Sequence, residues 1–111
     1  MKIIELVDRV KKGETTARAQ VERSLAKAQE TEEYHALLSL TAERALQRAD
    51  EIDEQIKKGE DPGVLTGVPF VVKDNYLAFG APTTAAAKML ENFQAPVQAT
   101  VVEKLEAAGA I

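Results

Sequence analysis

Gly67-Val-Pro-Phe-Val-Val-Lys-Asp-Asn75 is the stretch on which the reading of this chain turns. Val68, Phe70, Val71 and Val72 make a β-branched and aromatic run. Pro69 is tolerable near a strand start, where one missing N–H costs little of the ladder. The run delivers Lys73, Asp74 and Asn75 to its C-terminal end, and in open α/β sheets reactive groups gather outside the carboxyl ends of strands. A lysine held there among buried apolar residues loses the hydration of its ammonium and becomes usable as a base at neutral pH. Pattern alone more often describes a solvated surface lysine.

Upstream of this run the periodicity is helical. Ile3, Ile4, Leu6, Val7 and Val10 recur at helical spacing, and Lys11-Lys12-Gly13 supplies cations for a helix C-terminus and then a stop. Thr15 or Thr16 caps a second expected helix reaching about residue 33, with Ala17, Val21, Leu25 and Ala28 as its inward stripe. Residues 35–40 are short and apolar and read as a brief strand, with Thr41 as the next N-cap. Ala45, Leu46, Ala49, Ile52 and Ile56 stripe a third helix over residues 42–58, closed by Lys57-Lys58-Gly59.

Residues 60–67 carry Pro62, Gly63 and Gly67 and read as a loop. Strand, helix, strand in this order predicts a βαβ unit with parallel strands and a right-handed crossover. Beyond it, residues 76–82 read as irregular, 85–93 as a short helix and 95–98 as a link. Thr100-Val-Val-Glu103 fits a capping box opening a last helix that stops at Gly109. The expected class is therefore α/β: one domain over residues 1–111, mainly helical over 1–60, with 61–111 the start of an α/β core. Ile111 falls where another strand would begin. A sheet of two short strands has bare edges, so the chain reads as a piece of a larger domain.

Composition narrows the function classes. The 111 residues are 45% apolar and 29% charged, which fits one globular domain and not a disordered tail. The fourteen basic residues are interleaved with eighteen acids at net charge -4, which argues against a nucleic-acid surface. With no cysteine and one histidine, His35, neither a disulfide framework nor a metal cluster is expected. Glu5, Asp8 and Arg9 break any leader-like run, and no stretch nears the ~18 apolar residues of a membrane helix, so a cytoplasmic protein without a membrane partner is expected.

Leu65-Thr-Gly-Val-Pro-Phe-Val-Val-Lys-Asp-Asn75, then Gly80, Thr83-Thr84, Lys88-Met-Leu-Glu-Asn-Phe93 and Ala99-Thr-Val-Val-Glu-Lys-Leu-Glu-Ala-Ala-Gly-Ala110, together resemble the amidase signature family. Within it, the Thr-Thr and Leu-Glu-Asn-Phe elements look most like the A subunits of the aspartyl/glutamyl-tRNA amidotransferases. The likeness is looser over residues 1–58, where Gly13-Glu14 and the helices follow in the expected order. It implies a serine nucleophile, a second serine in an unusual cis peptide, and a lysine acting through that serine as base. Only the lysine has a match here, Lys73. The two serines belong to positions downstream of Ile111. The physical logic is that of the generalised triad, since a hydroxyl is a poor nucleophile until an oriented base takes its proton.

The resemblance also implies partners. A glutamine-hydrolysing subunit would feed ammonia to a tRNA-binding, kinase-like subunit that uses ATP and magnesium, alongside a small subunit. This chain itself is then expected to hold no cofactor and no metal, to contact no nucleic acid directly, and to need the C-terminal part of its own subunit. Ser24 and Ser39 sit in no family-like motif and read as surface and strand residues. Asp74 and Asn75 read as support for the loop that holds Lys73, or as ordinary turn formers. Thr83 and Thr84 line a pocket or bond the local backbone. Ala87 stands where the family commonly has serine, at the expense of a local hydrogen bond. Gly67 and Gly80 read as backbone devices, His35 as a solvent-facing residue or helix cap, Met89, Leu90 and Phe93 as core, and the charges over residues 50–61 as a solvated face. Two other readings stay open: a non-catalytic binding module, and a piece of a general amidase.

Overall fold

The computed structural model describes residues 1–111. Four α-helices form, α1 (Ile3–Lys11), α2 (Ala17–Glu30), α3 (Ala42–Lys57) and α4 (Thr100–Ala107), with single 3-10 turns at Glu32–Tyr34 and Lys88–Leu90. In α1 the Glu5 carboxylate accepts the Lys2 N–H at 3.1 Å, and Arg9 and Lys11 face the opposite pole of the dipole.

All of the opening N–H groups of α2 find acceptors. Ala17 and Arg18 donate to the Asp53 carboxylate at 2.7 and 3.1 Å, Ala19 to the Thr16 hydroxyl at 3.0 Å, and Gln20 to the Thr16 carbonyl at 3.2 Å. Because Asp53 sits near the end of α3, α2 and α3 run antiparallel. Their facing stripes bury Ala17, Val21, Ala49 and Ile52, and Val10 of α1 closes the cluster. Leu6, Leu25, Ala45, Leu46, Ile56 and Ile111 pack around it.

The expected sheet does not form. Residues 35–40 are exposed and irregular, bending at Leu38, which is 77% accessible, and His35 enters them in the left-handed region at φ 50°. A strand needs a neighbour for its ladder, and none lies alongside. Residues 68–72 also belong to no strand, but they are not unpartnered. Ile111 donates to the Val68 carbonyl at 2.9 Å and accepts from Phe70 at 2.8 Å, the slanted pair of bonds that brackets one residue in a parallel ladder. The βαβ unit expected over residues 35–72 is thus absent, since its two strand segments share no backbone bond; residues 68–70 pair instead with Ile111, through one parallel bridge opposite Pro69.

Further bonds stitch this region to the end of α4, from Leu65 to the Ala108 carbonyl at 2.7 Å and from Gly67 to the Gly109 carbonyl at 3.0 Å. The approach is close enough to require glycine. A Cβ on Gly63, whose φ is 129°, would stand 2.4 Å from the Ala108 oxygen.

Three local expectations are also corrected. Residues 85–93 hold only a 3-10 turn, because Ala85 and Ala86 take φ of 47° and 59°, a pair of left-handed residues that no right-handed helix admits. The capping box at Thr100 does not form: Ala99 is the N-cap, and Thr100 is already the first helical residue. Thr41 caps α3 by position, without a side-chain hydrogen bond.

Candidate functional site

Lys73 ends the extended segment at the point where the chain turns, and its carbonyl accepts the Tyr76 N–H at 3.0 Å. Its side chain is exposed and has no carboxylate partner. The dry surroundings expected for a lysine base are therefore absent within this chain, and Val71, two residues before it, is itself 76% exposed. The reason lies in the missing sheet: nothing covers the face from which these residues project.

The turn after Lys73 is tightly clamped. The Thr84 N–H donates to one Asp74 oxygen at 2.8 Å, the Thr84 hydroxyl donates to the other, and the Ala85 N–H donates to the Asp74 carbonyl at 2.8 Å. The Thr84 hydroxyl and then its N–H hold the Asp74 carboxyl below its ordinary range, aided by the Ala86 N–H and opposed by partial desolvation. The two expected roles for Thr84 thus resolve toward hydrogen bonding, with a carboxylate as the main partner. Thr83 is buried, and its N–H donates to the Phe93 carbonyl at 3.0 Å.

Residues 74–84 form a loop closed at its base by Asp74 and Thr84 and fastened along its length. The Ala99 N–H bonds the Leu77 carbonyl at 2.8 Å, and the Phe79 N–H bonds the Gln98 side-chain oxygen at 3.0 Å. Gly80, at φ 98°, passes so close to Thr41 and Arg44 that a Cβ would meet them at 3.1 and 3.3 Å.

An open, mainly apolar groove of about 570 Å³ runs beside Lys73, lined by residues 36–41, residues 69–74, one side of the α2–α3 pair, and α4. Lys73, Asp74 and Thr83 line it; so do Ser24 and Ser39, although no hydrogen bond links either serine to Lys73. Asn75, Thr84, Gly67, Gly80 and His35 do not line it. Met89 is 93% exposed and Phe93 40%, so neither is the core residue expected.

Sequence reasoning missed Arg44, Arg48, Gln98 and Glu106. They form a charged cluster at one end of the groove, with Glu106 bonded to Arg44 at 2.8 Å and to Gln98 at 2.8 Å. The available signal was the i,i+4 pair of arginines abutting the apolar stripe at Ala45 and Ala49. No group of three or more His, Cys, Asp or Glu side chains comes together as a metal site, and no helix is long and apolar enough to cross a membrane.

Comparison with known proteins bears on family and fold. The family model described as Amidase matches residues 19–111. The A subunit of a glutamyl-tRNA(Gln) amidotransferase from Gloeobacter violaceus is 53% identical over 79 residues, covering 71% of this chain and 16% of the relative. The protein of the same name from Thermoanaerobacter pseudethanolicus is 46% identical over 110 residues, 98% of this chain and 22% of the relative. Among solved structures, one described as a vestigial protein complex bearing on the origins of an s-triazine catabolic enzyme superposes with a TM-score of 0.94 at 34% identity, over 100% of this chain and 25% of that one. A bacterial aryl acylamidase of the amidase signature family shares the fold, with a TM-score of 0.92 at 24% identity over 100% of this chain and 24% of that one. The chain thus spans a quarter or less of the length of these relatives.

Proposed function

The chain belongs to the amidase family, and on that premise we propose that it is the lysine-bearing N-terminal part of the glutamine-hydrolysing subunit of a tRNA-dependent amidotransferase. The observation that carries this reading is 41–46% identity to amidotransferase A subunits over almost the whole chain, with Lys73 at the end of an extended segment beside an open groove. The complete enzyme would release ammonia from glutamine for the conversion of Glu-tRNA(Gln) to Gln-tRNA(Gln), or of Asp-tRNA(Asn) to Asn-tRNA(Asn). ATP and magnesium would belong to the partner subunit, with a small subunit completing a cytoplasmic complex.

In this reading Lys73 is the base. It takes a proton through a bridging serine from the serine nucleophile, and both serines come from chain beyond the position of Ile111. A strand continuing the parallel bridge at Ile111 would build the α/β sheet over residues 68–72 and cover the face that leaves Lys73 hydrated here. Desolvation of the ammonium would follow from assembly. A base without its nucleophile and oxyanion donors forms no acyl-enzyme, so this chain alone should not hydrolyse glutamine.

The experiment is glutaminase activity of the chain alone and mixed with a separately expressed downstream half bearing the serines, each with and without Lys73→Ala. Activity only in the mixture that retains Lys73 supports the reading; activity of the chain alone overturns it. A second reading, a non-catalytic interaction module, is favoured by fifteen exposed large apolar side chains. It gains if the two halves fold and associate and still turn over no glutamine.

A further inference from the structure

Glu106 of α4 is only 15% exposed, and its carboxylate accepts two bonds from Arg44 Nη2, at 2.8 and 3.0 Å, and one from Gln98 Nε2 at 2.8 Å. Gln98 passes the connection on, since its side-chain oxygen accepts the Phe79 N–H at 3.0 Å. The Arg44 guanidinium also lies 5.6 Å from the centroid of the Phe79 ring, within cation–π range. The loop that follows Lys73 is thereby tied to both α3 and α4.

The segment that precedes Lys73 is tied to the same cluster. Arg48 Nη2 donates to the backbone carbonyls of Glu106 at 3.1 Å and Ala110 at 3.0 Å, which caps the C-terminal end of α4. The next residue, Ile111, makes the parallel bridge to residues 68–70.

We propose that Glu106, with Arg44, Arg48 and Gln98, is a positioning cluster for Lys73: it fixes the backbone on both sides of the lysine, at residues 68–70 and at residues 77–80. Electrostatics gives the cluster a role in geometry and little role in bulk stability. The exposed pairs, such as Lys27 with Glu30, are held in water and contribute little. A half-buried cluster, its Arg44, Arg48 and Glu106 side chains 31%, 21% and 15% exposed, still bears part of the desolvation cost that an apolar replacement would avoid, so what it supplies is a fixed arrangement. Arg48 Nε is buried 3.8 Å from a Glu106 carboxylate oxygen, within ion-pair range but with no hydrogen bond, a further cost carried at this one place.

The inference rests on the proposed role of Lys73 as base, and its test is separable from that role. Backbone 15N relaxation of the whole chain is compared between wild type, Glu106→Gln and Gln98→Ala. The expected result is a fall in order parameter at Phe70, Lys73 and Phe79 from about 0.85 to below about 0.6 in Glu106→Gln, with Val21 and Ala49 unchanged. An equal loss at Val21 and Ala49, or no loss at Lys73, overturns the proposal. Should Glu106→Gln fail to fold, Gln98→Ala decides, because it removes the Phe79 tie and one donor to Glu106 while leaving the Arg44 and Arg48 bonds in place: order at Phe79 and Lys73 falls, or the assignment is wrong. In the reconstituted glutaminase, Gln98→Ala should lower kcat about tenfold at unchanged KM, and an unchanged kcat overturns the positioning role. If the wild-type mixture is itself inactive, the proposed function fails, while the relaxation measurement still decides the positioning role.

Discussion

Replacing Asp53 by alanine should destabilise the chain more than any other single surface substitution outside the glycines. Its carboxylate serves two donors at the start of α2, Ala17 at 2.7 Å and Arg18 at 3.1 Å. Hydrogen bonds to a charged group contribute roughly 1.5–3 kcal/mol where partly buried, and a carboxylate at a helix N-terminus adds about 0.3–1 kcal/mol from the dipole. The two donors share one carboxylate, so these terms overlap, and about 2–3 kcal/mol is the expected total for Asp53→Ala. Thr16→Ala, which strips one neutral acceptor from Ala19, should cost about 1 kcal/mol. Asp53→Asn keeps one acceptor and loses the charge, and should fall between them. In urea, with a slope of about 1.5 kcal/mol/M, Asp53→Ala should lower the midpoint by about 1.3–2 M. Raising salt to ~1 M, where the screening length is ~3 Å, should narrow the gap between the wild type and Asp53→Asn. A loss below about 0.5 kcal/mol, or Thr16→Ala costing more than Asp53→Ala, would show that water serves these donors as well as Asp53 does.

Lys73→Ala should leave the urea midpoint of the isolated chain within experimental error, since the side chain is exposed and unpaired, while abolishing activity in the two-part glutaminase mixture. Gly63→Ala should cost about 3 kcal/mol, read from the same urea titration, because its Cβ would lie 2.4 Å from the Ala108 oxygen at a φ of 129°. Asp74 supplies a pH test. Its carboxyl is depressed in the folded chain, so its clamp is fully present above the unfolded value of ~3.9 and is lost only as pH falls through the lower folded value. Thr84→Val removes the hydroxyl donor, so loss of the clamp should move up toward ordinary carboxylate pH; amide exchange at Thr84 and Ala85 follows it, and coincident curves for the two proteins would refute the role of the hydroxyl.

The helices were legible because their signals are local. The stripe from Ala45 to Ile56 gave α3 to within one residue, and Lys11-Lys12-Gly13 marked the end of α1. Lys73 could be selected only through family likeness, since its own sequence neighbourhood also describes a solvated lysine. What failed was non-local. The run at residues 68–72 has strand chemistry, but a strand exists only with a partner, and here one residue, Ile111, is bonded to it. The Thr100 box failed by one position, because Ala99 already has the extended backbone of a cap at φ -61° and ψ 142°. Asp53 and Glu106 were invisible for a related reason: one caps a helix 36 positions away, and the other pairs with an arginine 62 positions away, so neither leaves a periodic trace.

The exposed lysine, the absent sheet and the thin core are one fact expressed three times. A chain of 12.1 kDa folded as a compact unit exposes about 6,000 Å² by the usual scaling, and this one exposes 7557 Å². Its radius of gyration is 14.6 Å, where a compact chain of this length has about 13.2 Å. The excess of about 1,500 Å² is about twice the ~800 Å² that one partner contributes to a standard protein interface. Part of it lies beside Lys73, where Leu37, Leu38, Leu40, Val71 and Phe79 are exposed and line the groove. A partner segment that covered this face would therefore supply three things in one step: a ladder for residues 68–72, apolar contact for the leucines, and the dry surroundings in which a lysine works as a base. Catalytic competence and the stability of the sheet should then appear together. A mixture in which residues 68–72 gain amide protection while Lys73 stays fully hydrated and the glutaminase silent would break that link.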